Sequence, residues 1–129
     1  MTTFEVRTTH AIEAVDITSQ VADAVAAARV DAGVCVIHIP HTTAGVIVNE
    51  NDDPDVMRDL LAHLATLIPR SPAFRHAEGN ADAHIKSVVV GHAATLIVES
   101  GRLVLGRWQG IMLCEFDGPR TRRVHVAVR

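Results

Sequence analysis

The sequence has few cysteines and few aromatic residues, and it has no cluster of basic residues. It contains two cysteines, one tryptophan and no tyrosine. Cys35 and Cys114 lie far apart in apolar surroundings without a CxxC spacing, so they predict two small buried hydrophobes rather than a disulfide framework or a thiolate metal site. A formal net charge of −3 and no run of Lys and Arg argue against nucleic acid as the main partner.

Long apolar segments are also missing. Residues 1–7 alternate polar and apolar side chains and carry charge, which is not the pattern of a signal peptide or a membrane span. We therefore expect a cytoplasmic protein with no membrane partner. Hydrophobic residues make up 48% of the chain and charged residues 21%, as in globular proteins. A length of 129 residues suits a single domain over residues 1–129.

Two helices follow from the spacing of apolar residues. The first is expected to be capped at residue 18 or 19 and to run to about Val30, before Gly33 stops it. Asp53 followed by Pro54 predicts the start of the second helix, because a capping residue followed by proline suits a first turn. Leucines at helical spacing then continue this helix to residue 69.

The other apolar runs predict strands, and the fold class is therefore a compact α+β domain with a mostly antiparallel or mixed sheet and two main helices. The first two strands are expected to form an opening hairpin. Residues 85–90 suit either a helix or a strand, and residues 70–82 predict a long ordered loop that carries function. The expected strands are residues 4–8, 13–17, 34–39, 45–48, 94–98, 103–105, 110–116 and 124–128.

The first polar cluster consists of the sequence HisThrThrAla at 41–44 and the sequence AsnGluAsnAspAspPro at 49–54. A strand of about four residues, roughly 13 Å long, separates them, so both groups are candidates to line one pocket. Asp53 is better explained as a helix cap. Asn49 and Glu50 have no such local role, and they belong either to a site or to a solvated turn.

The second polar cluster places His76, Glu78, Asp82 and His84 within ten positions, with Lys86 close behind. Imidazole and carboxylate groups are the ligands expected at a zinc site that keeps one position open for water or substrate. The spacing matches neither an HExxH helix nor a paired-cysteine framework. A metal site and a hydrogen-bonded polar loop both remain open.

The third cluster combines the glycine-flanked Trp108 with Glu115, which stands in an apolar strand. Trp108 suits a contact with a ligand ring or another subunit, or a place in the core. A carboxylate such as Glu115 needs a partner if it is buried, which makes it a candidate metal ligand, general base or ion-pair member. The remaining histidines are given no role; they are His10, His38, His63, His92 and His125.

The three clusters together resemble the YjbQ family, whose members are sometimes labelled secondary thiamine-phosphate synthase, from about residue 4 to residue 128. The resemblance rests on HisThrThrAla, AsnGluAsnAspAspPro, HisAlaGluGlyAsnAlaAspAlaHisIleLys and GlyArgTrpGlnGlyIle with its following Glu. It implies a compact α+β fold, usually a homotrimer with pockets near subunit boundaries. It also implies a site containing His41, Asn49, Glu50, His76, His84 and Glu115.

The family resemblance further implies a weak thiamine-phosphate synthase activity, in which a thiazole phosphate nitrogen displaces pyrophosphate from a pyrimidine methylene. The expected catalytic residues are His41, Asn49, Glu50 and Glu115. The expected substrate-binding residues are Thr42, Lys86, Trp108, Gln109 and Arg120. Zinc or magnesium, if bound, is expected at His76, Asp82 and His84, with Glu50 and Glu115 as further carboxylates for a cation.

Two other functions remain open for the sequence. One is a metal-dependent hydrolase, in which His76 and His84 with a carboxylate or His41 hold zinc and a bound water attacks the substrate. The other is a trimeric protein that only binds a small anion. In each case the expected partner is an anionic small molecule.

Overall fold

A computed structural model describes residues 1–129. Its eight strands form two antiparallel sheets. The strands are β1 (Thr2–Arg7), β2 (Glu13–Asp16), β3 (Gly33–His38), β4 (Ala44–Glu50), β5 (Ala93–Glu99), β6 (Arg102–Leu103), β7 (Gln109–Glu115) and β8 (Thr121–Val128). The helices are α1 (Thr18–Ala28), α2 (Pro54–Leu67) and α3 (Ala81–Val90). This arrangement confirms the predicted α+β class.

The strands join the sheets in an order that differs from the chain order. The larger sheet runs β1-β8-β3-β5-β6 and the smaller one runs β2-β7-β4. The predicted opening hairpin is therefore wrong, because β1 pairs with β8 while β2 pairs with β7. Strands near the start of the chain thus pair with strands near its end in both sheets. The alternation of polar and apolar residues within one segment cannot reveal such long-range pairing.

The chain passes from one sheet to the other six times. Three of these crossings run from β1 to β2, from β3 to β4, and from β7 to β8. The strands predicted on either side of residues 40–44 therefore exist, but they lie in different sheets. The segment that carries His41 is thus a crossing between sheets rather than a hairpin turn.

The core lies where the inward faces of the two sheets meet α1. It includes Val21 and Val25 from the helix, Ile37 from the larger sheet and Leu113 from the smaller one. Both cysteines are buried and unpaired, as expected. Burial raises the pKa of Cys114 to about 12, so its thiol stays protonated and packs as a small apolar group.

The helix ends follow the sequence only in part. Asp53 caps α2 as predicted, and its Oδ1 accepts a hydrogen bond from the Asp55 amide at 2.9 Å. α1 has no side-chain cap of its own; instead the carboxylate of Asp16 accepts from the Thr18 amide and hydroxyl. α1 ends at Ala28, because Arg29 adopts the left-handed conformation that closes a helix before the predicted end.

A third helix replaces part of the predicted loop. Residues 85–90 are helical, and α3 already starts at Ala81, so the irregular segment ends at Asn80.

The apolar stripe of α2 is only partly covered, since none of its residues is buried. None of the three helices combines the length and apolar character needed to cross a membrane.

A buried ion pair joins three of the six crossings between the sheets, those from β1 to β2, from β3 to β4 and from β7 to β8. Glu115 is fully buried and bonds to the guanidinium of Arg122, which is 2% exposed. The carboxylate also accepts from the Thr8 hydroxyl at 2.8 Å, and the guanidinium donates to the Thr43 hydroxyl at 2.8 Å. Thr8, Thr43 and Glu115 each stand at the start of a different crossing or directly beside it, so this network fixes all three.

Replacing Glu115 with glutamine should destabilise the protein strongly, because it leaves the Arg122 charge buried without a counter-charge. We expect the Glu115→Gln variant to lose about 3–5 kcal/mol in the free energy of unfolding, measured by urea denaturation at constant protein concentration. Glu78→Gln is the matched control, since Glu78 is 74% exposed in its contact with His76, and it should cost less than about 1 kcal/mol. Equal losses in the two variants would contradict the proposed role of the buried pair.

Candidate functional site

A cavity of about 480 Å³ lies at one end of the domain, between the end of β3, the following crossing and α3. Its ionisable lining groups are all imidazoles, and no carboxylate reaches it. The lining residues are His38, Ile39, Pro40, His41, Thr42, His84, Ser87, Val88 and His92. Imidazoles and the Thr42 hydroxyl, without acids, offer hydrogen-bond donors, which suits an anionic ligand.

Close packing between α3 and β4 holds the cavity together. The Ser87 hydroxyl donates to the Ala44 carbonyl at 2.6 Å, and the Val46 amide donates to the Gly91 carbonyl at 3.0 Å. A Cβ atom at Gly45 would lie 2.6 Å from that same carbonyl oxygen, so only glycine permits this approach. The contact fixes the helix that carries His84 and the short connection that carries His92.

His41 is held in one orientation by the backbone. Its Nε2 accepts a hydrogen bond from the Arg123 amide at 2.9 Å, and its Nδ1 has no protein partner. An accepting Nε2 places the proton of the neutral ring on Nδ1. Burial lowers the pKa of His41, and the charges of Arg122 and Arg123 lower it further. His41 is therefore a neutral imidazole that can donate a hydrogen bond from Nδ1.

The predicted metal ligands do not converge within this chain. His84 lines the large cavity, whereas His76 and Asp82 line a separate cavity of about 180 Å³. The rings of His76 and His84 meet edge to face with their centres 5.2 Å apart. No three His, Cys, Asp or Glu side chains are arranged to hold a metal ion. Binding of zinc or magnesium thus remains a prediction that the chain's own geometry does not support.

Asp82 and Lys86 form a second buried pair. Lys86 Nζ donates to Asp82 Oδ2 at 3.0 Å, and both side chains are less than one tenth exposed. Burial alone would raise the pKa of Asp82, but the hydrogen bond and charge of Lys86 outweigh it, and the net pKa is lowered. Lys86 was expected to contact phosphate, but its ammonium group is paired with Asp82, a carboxylate of the same helix.

Four other predicted residues lie at the far end of the smaller sheet. Ala44 pairs with Glu115 near the large cavity, while Glu50 pairs with Gln109 at the opposite end of β4, about 20 Å away. Trp108 is half exposed, and the guanidinium of Arg107 lies 4.7 Å from its ring centre. The groups predicted at 41–44 and 49–54 therefore do not share a cavity in one chain. The set at this far end consists of Asn49, Glu50, Trp108 and Gln109.

Glu115 and Arg120 do not line the large cavity, and both make contacts with protein groups. Of the three roles considered for Glu115, the structure shows the ion pair, and both carboxylate oxygens accept hydrogen bonds from protein donors. Arg120 donates to the carbonyl and the carboxylate of Asp117, at 2.8 and 3.1 Å. Thr42 lines the cavity as expected for a substrate-binding residue.

Three histidines that the sequence left without a role meet at the cavity edge. The register of β3 and β8 sets His38 opposite His125, and their ring centres are 5.8 Å apart. His92 completes the group, with its ring centre 5.5 Å from that of His38. No local pattern could have found them, because they come from three separate segments that only the sheet order brings together.

Comparisons with known proteins agree on one family. A family model described as UPF0047 protein YjbQ-like matches residues 2–129. The UPF0047 protein MJ1081 of Methanocaldococcus jannaschii is 46% identical over 97% of this chain and 91% of its own length. The UPF0047 protein YugU of Bacillus subtilis is 46% identical over 96% and 95%.

Solved structures show the same fold. A YjbQ/UPF0047 family protein of Clostridium acetobutylicum superposes with a TM-score of 0.97 at 43% identity and covers 100% of both chains. The conserved hypothetical protein TT1486 of Thermus thermophilus gives a TM-score of 0.92 at 45% identity, again over 100% of both chains. The likeness therefore covers the whole chain in both sequence and fold.

The lowered pKa of His41 predicts a pH-dependent contribution to stability. A histidine whose pKa is lower in the folded state binds more protons when unfolded, so its contribution is complete above the unfolded value of about 6.5 and is lost as pH falls below it. We expect the His41 imidazole to titrate below about pH 6.5 in NMR spectra of the ring nitrogens. Between about pH 7 and pH 5, the wild type should lose stability more steeply than a His41→Asn variant. Parallel stability curves would contradict this.

Proposed function

This chain belongs to the UPF0047 YjbQ-like family, and we propose that it is a small-molecule enzyme whose histidine-lined cavity binds a phosphorylated substrate. The proposed reaction is a transfer of the thiamine-phosphate synthase type. The observation that carries the proposal is a cavity whose polar lining consists of four imidazoles and the Thr42 hydroxyl, with no carboxylate. Such a lining stabilises a polyanion and would not repel it.

The proposed reaction needs anion stabilisation more than it needs a base. A nitrogen of the thiazole phosphate forms a bond to the pyrimidine methylene, and the carbon–oxygen bond to pyrophosphate breaks with its electron pair. The attacking nitrogen carries no proton, so none has to be removed. The enzyme must align the two rings and stabilise the departing pyrophosphate.

His41 has the properties that such a step requires. Its Nε2 is occupied by the Arg123 amide, and its lowered pKa keeps the ring neutral. Nδ1–H is therefore available as a fixed donor to a leaving phosphate oxygen, and His41 is less suited to act as a base. His84 and Thr42 line the same cavity and supply further polar groups for the phosphates.

The metal-dependent hydrolase is the less favoured alternative. Zinc or magnesium would need His76, Asp82 and His84 in one place, but the first two line a different cavity from the third. Asp82 is also paired with Lys86. These residues do not fit a metal as they stand, so no step of the proposed reaction is assigned to one.

We further propose that the enzyme acts as the homotrimer that the family resemblance implies, and an uncovered face of its larger sheet supports contact with another copy. Val34, Val36 and Ile97 project from neighbouring strands of this face, and Ile97 is 62% exposed. His38 lies on the same face and also lines the cavity, so a second copy docked there would place the cavity near a subunit boundary. In such an assembly another copy would supply the residues that one chain keeps distant, namely Asn49, Glu50, Trp108 and Gln109.

The transfer activity can be tested with purified protein and the two precursors, a thiazole phosphate and a pyrimidine pyrophosphate. We expect thiamine phosphate to form and the rate to fall by about 10²-fold in His41→Ala, as when a single oxyanion donor is lost. His84→Ala and Glu50→Gln should also slow the reaction. His63→Ala is the control, since His63 lies on the exposed side of α2 and should leave the rate unchanged.

The same assay separates the competing functions. Binding of the precursors without formation of product would support the alternative of a non-catalytic ligand-binding protein. Stoichiometric zinc in protein purified without an affinity tag, lost in His84→Ala, would instead favour the hydrolase. An unchanged rate in Glu50→Gln would remove that residue from the site.

The assembly is tested by light scattering of protein leaving a sizing column. The wild type should have the mass of three 13.9 kDa chains, and Ile97→Lys should shift it towards a single chain because it places a charge within an apolar contact. Leu67→Lys is the matched control on α2, since Leu67 is 64% exposed and lies outside the uncovered sheet face. A wild-type protein of single-chain mass would refute the trimer.

A further inference from the structure

His38, His92 and His125 form a group of three basic side chains at the edge of the cavity. The ring centre of His38 lies 5.8 Å from that of His125 and 5.5 Å from that of His92. His38 is therefore the central member and also lines the cavity together with His92. Three rings this close repel one another when each carries a proton.

No carboxylate of the protein forms a salt bridge with this group. The histidines that pair with acids are His10 with Glu13 and His76 with Glu78. The one protein hydrogen bond to a ring of the group joins His125 Nδ1 to the Thr3 hydroxyl at 2.8 Å. Protonation of the cluster thus creates a positive charge that no salt bridge of the protein balances, and this charge favours an external anion.

Glu5 is the acidic residue that the strand register brings near the three rings, since Thr3 pairs with His125 and Glu5 pairs with Arg123 two residues further on. Glu5 therefore lies diagonally across from His125, with the Arg123 cation directly opposite it, and it forms no salt bridge with a histidine. On β5, Ala93 pairs with His38, whereas Glu99 stands at the other end of that strand, about 20 Å away. The neighbouring walls of the cavity carry His41 and His84, which are also imidazoles.

We propose that His38, His92 and His125 form a proton-dependent binding site for an oxyanion at the rim of the cavity. The ligand is a phosphate-like group, held by imidazolium N–H donors and released as the rings lose their protons. The inference rests on the proposed anion-binding cavity but not on the transfer reaction. The shared chemistry allows two sources for the anion, namely free inorganic phosphate or a phosphate group of the substrate.

The site couples anion affinity to pH. An unperturbed imidazole changes charge near pH 6.5, within the physiological range. Each proton taken up on binding strengthens binding by up to about tenfold for each unit that pH falls, as long as the free rings are neutral and the anion-bound rings are protonated. By the same linkage a bound anion favours protonation of the rings, which should be visible in their NMR spectra.

Sulfate is the best probe, because its charge does not change over the relevant pH range whereas that of phosphate does. We expect the wild-type protein in its native assembly to bind sulfate at least about tenfold more tightly at about pH 5.5 than at about pH 7.5, as measured by calorimetry. His38→Gln and His125→Gln should remove most of this difference. His63→Gln, an exposed histidine of α2, is the matched control and should retain it.

The outcomes distinguish this site from the proposed reaction. Binding that is independent of pH, or that is equally strong in the His38→Gln and His125→Gln variants, overturns the proposal even if thiamine phosphate is formed. Binding that depends on pH and on these residues supports the site even if no product appears. Competition between sulfate and the thiazole phosphate would identify the anion as a substrate group, and simultaneous binding would identify it as a separate phosphate. Circular dichroism of each variant checks that the fold is retained.

Discussion

The buried pair of Glu115 and Arg122 is the interaction on which the rest of this structure depends. It lies where the chain crosses between its two sheets, and it ties Thr8, Thr43 and the β7–β8 connection to one point. Two buried charges are stable only when each satisfies the other and their remaining hydrogen bonds are made. The geometry of the crossings is therefore fixed by polar contacts, whereas the sheets themselves are held by apolar packing.

The geometry of the large cavity depends on this buried ion pair. Thr43 belongs to the network and His41 lies two residues before it, so the ion pair and the Arg123 amide together set the position of this imidazole. The opposite wall is set by α3, which sits against β4 because Gly45 leaves room for its end. The result is a cavity in which the His41 Nδ1–H is oriented before any ligand binds, as the proposed stabilisation of an anion requires.

Histidine gives this cavity its chemical character. Of the eight histidines in the chain, four line the cavity, and two more contact its lining, His76 through His84 and His125 through His38. The members differ in their surroundings, because His41 is half-buried near arginines while His38 and His92 are exposed. The same residue type is thus held as a neutral donor on one wall and is open to solvent on the other.

The sequence by itself determined the α+β class, the start of α2 at Asp53, the two inert cysteines and the family resemblance. These features are local, because helix capping, the spacing of apolar residues and the order of motifs depend on residues close together in the sequence. Only the tertiary structure decided that β1 and β2 belong to different sheets, that Asn49 and Glu50 lie far from His41, and that His38, His92 and His125 meet. Strand order and register depend on contacts between distant segments, and no local pattern of polar and apolar residues specifies which strand will be the partner.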